Sequence, residues 1–276
     1  MAAHPLVVVN TVVVSAVGMS AAELADRGLS LDISGAVATV TLSRPERRNA
    51  MTPRMWHGLA EIGASLPEQV RVVVVRGAGP SFSAGIDLRL FSAEGVQGED
   101  PAPSAAEPGF EDWVAGLQAG YLWLRDPAIV SIAAVRGYAI GAGCQLALAC
   151  DLRVLADDAK LCIKEPALGL VPDLTGTKPL VEIVGLPRAL ELCLTARLVG
   201  AAEAAVLRMA ELVVPGQELD DAVSDLAAAL LATDAAASRA TKELLALASG
   251  NSLEEQAAAE RSAQRKLLSA KLPAPG

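Results

Sequence analysis

The stretch VRVVVVRG, Val70 to Gly77, limits the possible folds more than any other part of the chain. β-Branched side chains are stiff in a helix and pack well on a pleated surface. A continuous run, rather than strict alternation, is what a strand buried on both faces requires, as in a parallel sheet covered by helices. PAIVSIAAVRG (Pro127 to Gly137) and LRVLA (Leu152 to Ala156) repeat that character, while AVATVTLSR (Ala36 to Arg44) alternates like a half-buried strand. Thr52-Pro53 reads as a helix start, with Thr52 as N-cap and the helix running to about Ser65. GCQLALAC and LPRALELCLTARL are helical stretches between strands. Strands alternating with helices predict α/β layers.

The chain has 276 residues, 52% hydrophobic and 20% charged, enough for one large domain or two small ones with a substantial core. A net charge of −9 argues against nucleic acid or an anionic membrane as partner. Cys144, Cys150, Cys162 and Cys193 form no CxxC pair and have no neighbouring histidine in sequence. They read as reduced, buried thiols of a cytoplasmic protein. With only two histidines, His4 and His57, a His-based zinc site or a Ser-His-Asp triad has little to draw on. The apolar N-terminus lacks a basic start and is interrupted by Asn10 and Thr11, so it reads as an extra strand or loose extension rather than a targeting segment. Glu94 to Gly109, rich in Pro, Gly, Ala and acid, reads as a surface loop. From about Ala201 the pattern is almost entirely helical, and Ser252 to Ala270 reads as a helix that packs on a neighbour or another subunit.

Three segments could carry chemistry. PSFSAGIDLRLF (Pro80 to Phe91) follows a buried strand and leaves its backbone accessible. In GYAIGAGCQLALACD, Gly141, Ala142 and Gly143 lead into an apolar helix. The unpaired N–H groups of a first turn can hold an oxyanion, or the small residues can simply serve close packing. IKEPALGLVPDLTG (Ile163 to Gly176) sets Glu165 and Asp173 in apolar surroundings, where a carboxyl with a raised pKa suits acid–base work; a paired structural carboxylate is the alternative. Neither glycine-rich segment fits GxGxxG or a Walker A loop. Cys144 has no evident base and reads as packing rather than as a nucleophile.

Together with RPERRNAM after the first strand and the later GLPRALELCLTARLVGAAEA run, these segments resemble the crotonase superfamily, the enoyl-CoA hydratase/isomerase family, over roughly Leu29 to Lys271. The resemblance implies an α/β fold, a crotonase-like spiral of repeated ββα units. It would occupy residues 29–200, after an N-terminal extension (1–28) and before a helical oligomerisation region (201–276) that builds a homotrimer or dimer of trimers. It implies an acyl-CoA thioester as substrate, with coenzyme A part of that substrate and no separate cofactor or metal. It also implies an oxyanion hole formed by the amides of Ile86 and Ala142. Arg47, Arg48 and Arg89, with the backbone near Ala50 and Ala84, become candidates for the CoA contact. Family hydratases carry a glutamate in each of the second and third segments. Glu165 matches one, but Gln145 stands at the other, and an amide cannot accept and return a proton. The dienoyl-CoA isomerases place Glu and Asp eight residues apart, as Glu165 and Asp173 are here, but have Asp where Gln145 stands. The expectation is double-bond isomerisation rather than efficient hydration, with Glu165 as proton shuttle, Asp173 as helper and Gln145 as polar positioner. The alternatives are a weak hydratase, a non-catalytic acyl-CoA-binding protein, or a thioester hydrolase or decarboxylase on the same fold.

Overall fold

The computed structural model describes residues 18–92 and 94–271. Nine strands lie among them: β1 (Leu29–Ser34), β2 (Val37–Leu42), β3 (Val72–Gly77), β4 (Val130–Val135), β5 (Tyr138–Ile140), β6 (Leu152–Ala156), β7 (Lys160–Cys162), β8 (Val199–Gly200) and β9 (Leu212–Val214). The helices are α1 (Ala21–Asp26), α2 (Pro53–Ala64), α3 (Phe110–Leu122), α4 (Ala142–Ala149), α5 (Thr177–Val184), α6 (Leu186–Thr195), α7 (Ala201–Val206), α8 (Leu219–Leu231), α9 (Ala235–Leu247) and α10 (Leu253–Lys271). The reading of residues 1–17 as strand or extension falls outside the described residues.

A six-stranded sheet runs β1-β2-β3-β4-β6-β9, antiparallel between β1 and β2 and parallel from β2 onward. The valine run forms β3, at the interior of this sheet, and it is covered on both sides. Val73 and Val75 join the main core, while Val72 and Val74 meet Leu219, Val223 and Ala227 of α8. This two-sided cover explains why the sequence shows no polar alternation there. A second sheet, β5-β7-β8, receives β5 and β7, the short strands that follow β4 and β6. β4 and β5 precede α4, and β6 and β7 precede α5 and α6, so the ββα repeat is explicit in this part of the chain. Isolated parallel bridges, Met51 to Ile86 and Ser83 to Ala139, continue the stacking of successive turns toward the N-terminus.

Two differences from the sequence reading stand out. β9 lies beyond Ala201 and pairs in parallel with β6, so the main sheet extends into a region that reads as helical. Three apolar residues between helices are too short a run to show a period. α10 forms as expected, but it buries none of its residues within this chain and lies against α9.

α9 is tied to the sheet by a polar clamp. Lys242 Nζ donates to the carbonyls of Asp126 and Ile129 and to Asp151 Oδ2 at 2.6 Å. The same carboxylate oxygen accepts from the amide and hydroxyl of Ser131 on β4. Both ionised side chains are mostly buried, so loss of one leaves the other poorly compensated. Lys242→Met is expected to lower the unfolding free energy by about 1–3 kcal/mol, read from the urea midpoint at unchanged m-value.

Candidate active site

The site is built on a close approach of two backbone segments. Gly85 has φ +87°, and a β-carbon there would sit 2.5 Å from the Ile140 carbonyl oxygen and 3.5 Å from the Ala142 nitrogen. Only glycine fits both the conformation and the space. Its neighbour Ile86 is fixed by a two-way pairing with Met51: the Met51 amide donates to the Gly85 carbonyl, and the Asp87 amide donates to the Met51 carbonyl. Ala142 is the first residue of α4, entered through Gly141 at φ +53°. Among the described residues no acceptor faces the amide of Ile86 or of Ala142. The helix start adds its partial positive charge at Ala142. Two unpaired donors on rigid, adjacent backbone are what a developing oxyanion needs.

Residues that sequence reasoning missed hold this geometry. Asn49 is fully buried, and its Nδ2 donates to the carbonyls of Ala78, Ser81 and Phe82 while Oδ1 accepts from the Arg44 amide. Tyr121, also buried, donates its hydroxyl to the Ala142 carbonyl at 2.8 Å and accepts from Trp56 Nε1. Asp87 is buried against Arg89 and Arg44, and the hydrogen bonds from Arg89 hold its carboxyl down to about 2. Asn49 and Asp87 sit inside the quoted motifs, yet nothing in a single sequence marks a polar loop residue as buried.

The acidic side of the site centres on Glu165, which opens a short 3₁₀ turn and is 8% exposed. Its Oε1 accepts from Gln145 Nε2 at 2.7 Å. Its Oε2 is buried and has no hydrogen-bond partner among the described residues. Gly141 leaves room for it: a β-carbon there would lie 3.1 Å from Oε1. Burial, the largest influence, pushes the Glu165 carboxyl above the ordinary value of 4.5, and the nearby charge of Asp173 pushes the same way. Gln145 is wholly buried, and its Oε1 accepts from the amides of Leu174 and Gly176. Asp173 is exposed on the next loop, whose backbone is held by Gln118 Nε2 donating to the Asp173 carbonyl. Glu165, Gln145 and the amide of Ala142 thus converge, with Asp173 at the rim.

The candidate CoA contacts divide. Arg47 and Arg48 are exposed and make no ion pair among the described residues. Arg89 is engaged by Asp87 through both Nε and a terminal nitrogen. The Ala84 amide donates to the Arg48 carbonyl, and the buried Ala50 carbonyl accepts from Arg44. Cys144 and Cys150 are fully buried and Cys162 nearly so, and burial pushes the thiols up, Cys150 to about 12, so none is a ready nucleophile. No helix among the described residues is long and apolar enough to cross a membrane.

The spiral α/β core thus presents two amides without an acceptor among the described residues beside a buried carboxyl, Glu165. Comparison with known proteins supplies the family. A sequence model of the family described as enoyl-CoA hydratase/isomerase matches residues 32–272. The carnitinyl-CoA dehydratase of Escherichia coli K12 is 36% identical over 232 residues, covering 82% of this chain and 83% of its own. A Mycobacterium tuberculosis protein named probable enoyl-CoA hydratase echA8 is 30% identical over 228 residues, with the same coverage. The crystal structure of a candidate enoyl-CoA hydratase from Thermobifida fusca YX in complex with CoA is 62% identical. It superposes with a TM-score of 0.89 over 92% of this chain and 98% of that one. The chain therefore belongs to the enoyl-CoA hydratase/isomerase family.

Gly85→Ala is expected to lower kcat/KM by about 100-fold or more, the usual loss for a displaced oxyanion donor, in a protein whose circular dichroism remains native. The raised Glu165 pKa also has a stability consequence. A folded-state pKa above the unfolded value contributes stability at low pH that is lost as the pH rises through the folded value. Glu165→Gln should therefore melt at a higher temperature than the parent at pH 8, with the difference closing toward pH 4; equal melting curves at pH 8 would contradict the buried-charge account.

Proposed function

We propose that this chain moves the carbon–carbon double bond of an enoyl-CoA thioester by proton transfer through Glu165. One observation carries the reading: the catalytic pocket offers one buried carboxyl oxygen free to take a proton, Glu165 Oε2, and the side chain opposite it is an amide. Glu165 removes a proton from the carbon next to the thioester carbonyl. The electron pair delocalises into the double bond and onto the thioester oxygen, which the amides of Ile86 and Ala142 receive. The proton then returns to the far end of the conjugated system, leaving the double bond shifted. Donors aimed at that oxygen favour the enolate over the starting carbonyl, so they act on kcat. Asp173 is the second carboxylate, and it acts on Glu165 through its charge. Burial raises the proton affinity of Glu165 above that of an ordinary carboxylate, which strengthens it as a base.

Weak hydration is the second reading. It is supported by the relatives named as hydratases and by the presence of Asp173 at the rim. The substrate class rests on the fold match with the CoA-bound structure. Arg47 and Arg48, exposed and uncompensated on an acidic protein, are the proposed cations for the CoA phosphates. The proposed assembly is a homotrimer or dimer of trimers, supported by exposed apolar side chains on α5 to α7, among them Leu186, Leu190, Leu194 and Val206. The free thiols fit a cytoplasmic setting.

The test is incubation with 3-enoyl-CoA and 2-enoyl-CoA, separately, in heavy water. Isomerisation gives a 2-enoyl product with up to one deuterium on the former double-bond terminus and no added water. Glu165→Gln should abolish this while leaving CoA affinity within about twofold, since it removes the base and not the oxyanion donors. Addition of water to the 2-enoyl substrate as the main reaction would favour the hydratase. Tight binding of both thioesters without turnover would make the protein an acyl-CoA carrier.

A further inference from the structure

We propose that the turn Leu174–Gly176 is a positioning element that locks the Gln145 amide in one orientation and thereby makes Oε2 the only atom on which Glu165 carries its proton. The proposal rests on the reading of Glu165 as the proton shuttle, and it adds the group that sets the shuttle's geometry.

Amides of the turn flank Thr175 and converge on one oxygen. Leu174 N–H and Gly176 N–H donate to Gln145 Oε1 at 2.9 and 3.1 Å. If the Gln145 amide were turned over, its NH₂ would face two N–H donors. Its carbonyl oxygen would then lie against the Glu165 carboxylate, an acceptor. Three hydrogen bonds would be lost together, so the backbone dictates the orientation. Nε2 must therefore point at Glu165 Oε1, where it donates at 2.7 Å. A proton on that oxygen would confront an N–H, so protonation is directed to Oε2, which is buried and unpartnered among the described residues.

Two features show that this turn is held under constraint. Thr175 has φ +67°, a conformation that a β-branched residue rarely adopts and that persists only where its surroundings over-determine it. Gly176 leaves no space beyond its hydrogens, because a β-carbon there would sit 2.6 Å from Gln145 Cγ and 2.9 Å from Oε1. The turn and the glutamine are thus fitted to one another. The chemical consequence is that one oxygen both removes and returns the proton, with no rotation of the carboxyl between the two events.

Other titratable groups face Glu165 from the elements packed around it. They are Tyr121 on α3, Cys144 on α4, Cys162 on β7, Cys193 on α6 and Asp173 on the following loop, with the exposed Lys164 next to it in sequence. Burial pushes the phenol and the thiols up, so they stay neutral where carboxyls titrate. Among the described residues that face Glu165, Asp173 is the one other carboxyl.

The experiment is an infrared titration of Glu165 in the ligand-free full chain, as the difference from Glu165→Gln in an Asp173→Asn background. It needs no turnover. In Gln145→Leu, which removes the donor to Oε1, the Glu165 midpoint is expected to rise by about one pH unit. Gly176→Ala, which displaces the amide without removing it, should shift the midpoint in the same direction. Thr175→Gly, suited to the left-handed turn, should keep the midpoint of the unsubstituted chain. Unshifted midpoints in both Gln145→Leu and Gly176→Ala would overturn the proposal, and if only one of these two variants folds, that variant decides. Shifted midpoints in a protein that moves no enoyl-CoA double bond would uphold the positioning role and remove the isomerase reading.

Discussion

The contact between the Gly85 backbone and the Ile140 carbonyl is the constraint on which the rest of the site depends. It brings the loop after β3 against the start of α4, two segments more than fifty residues apart in sequence, at a distance that no side chain permits. Ile86 and Ala142 follow directly from that approach, so their amides are set by main chain rather than by rotamers. The cost of such tight loop packing is met by buried side chains that satisfy the loop's carbonyls, Asn49 foremost among them. Donors held this way need no reorganisation when charge develops before them.

The carboxyl half of the site follows a different rule. Glu165 is kept where water would stabilise its charge poorly, and one amide hydrogen bond offsets part of that loss. Folding energy and proton affinity are coupled at this residue: the desolvation that raises its proton affinity costs stability once the carboxyl ionises. Gln145 relieves the strain from one side only. Had it been an acid, the two carboxyls would have had to share a proton at this separation. The neutral amide lets Glu165 ionise alone.

Much of this was legible in the sequence, and the legible parts share a physical character. The valine run, the Thr52-Pro53 helix start and the small residues before α4 are local signals, and each formed the element expected of it. Glu165 and Gln145 could be singled out because polar groups are rare in those apolar stretches. The rest depends on contacts across the turns of the spiral. Tyr121 reaches Ala142 from a helix that follows the Pro- and Gly-rich loop, and Arg44 meets Asp87 across 43 residues. Arg89 is a candidate CoA contact by resemblance, and its pairing with Asp87, two residues away, was not legible because no local pattern discloses that acid's burial. β9 was hidden by brevity, since three residues cannot declare a period.

The glycines at 85, 141 and 176 share a property with an evolutionary consequence. Each lacks a β-carbon where a reactive group, or a group that braces one, already stands. A side chain at any of them would press on that group. Position 145 is constrained differently: the turn that grips it offers two N–H groups to an oxygen that an amide or a carboxylate can supply, but a carboxylate would set its second oxygen against Glu165 Oε1. Glutamine and glutamate codons differ by a single base. A single-base change at position 145 would therefore alter the group that meets Glu165 while leaving the glycine-held backbone in place.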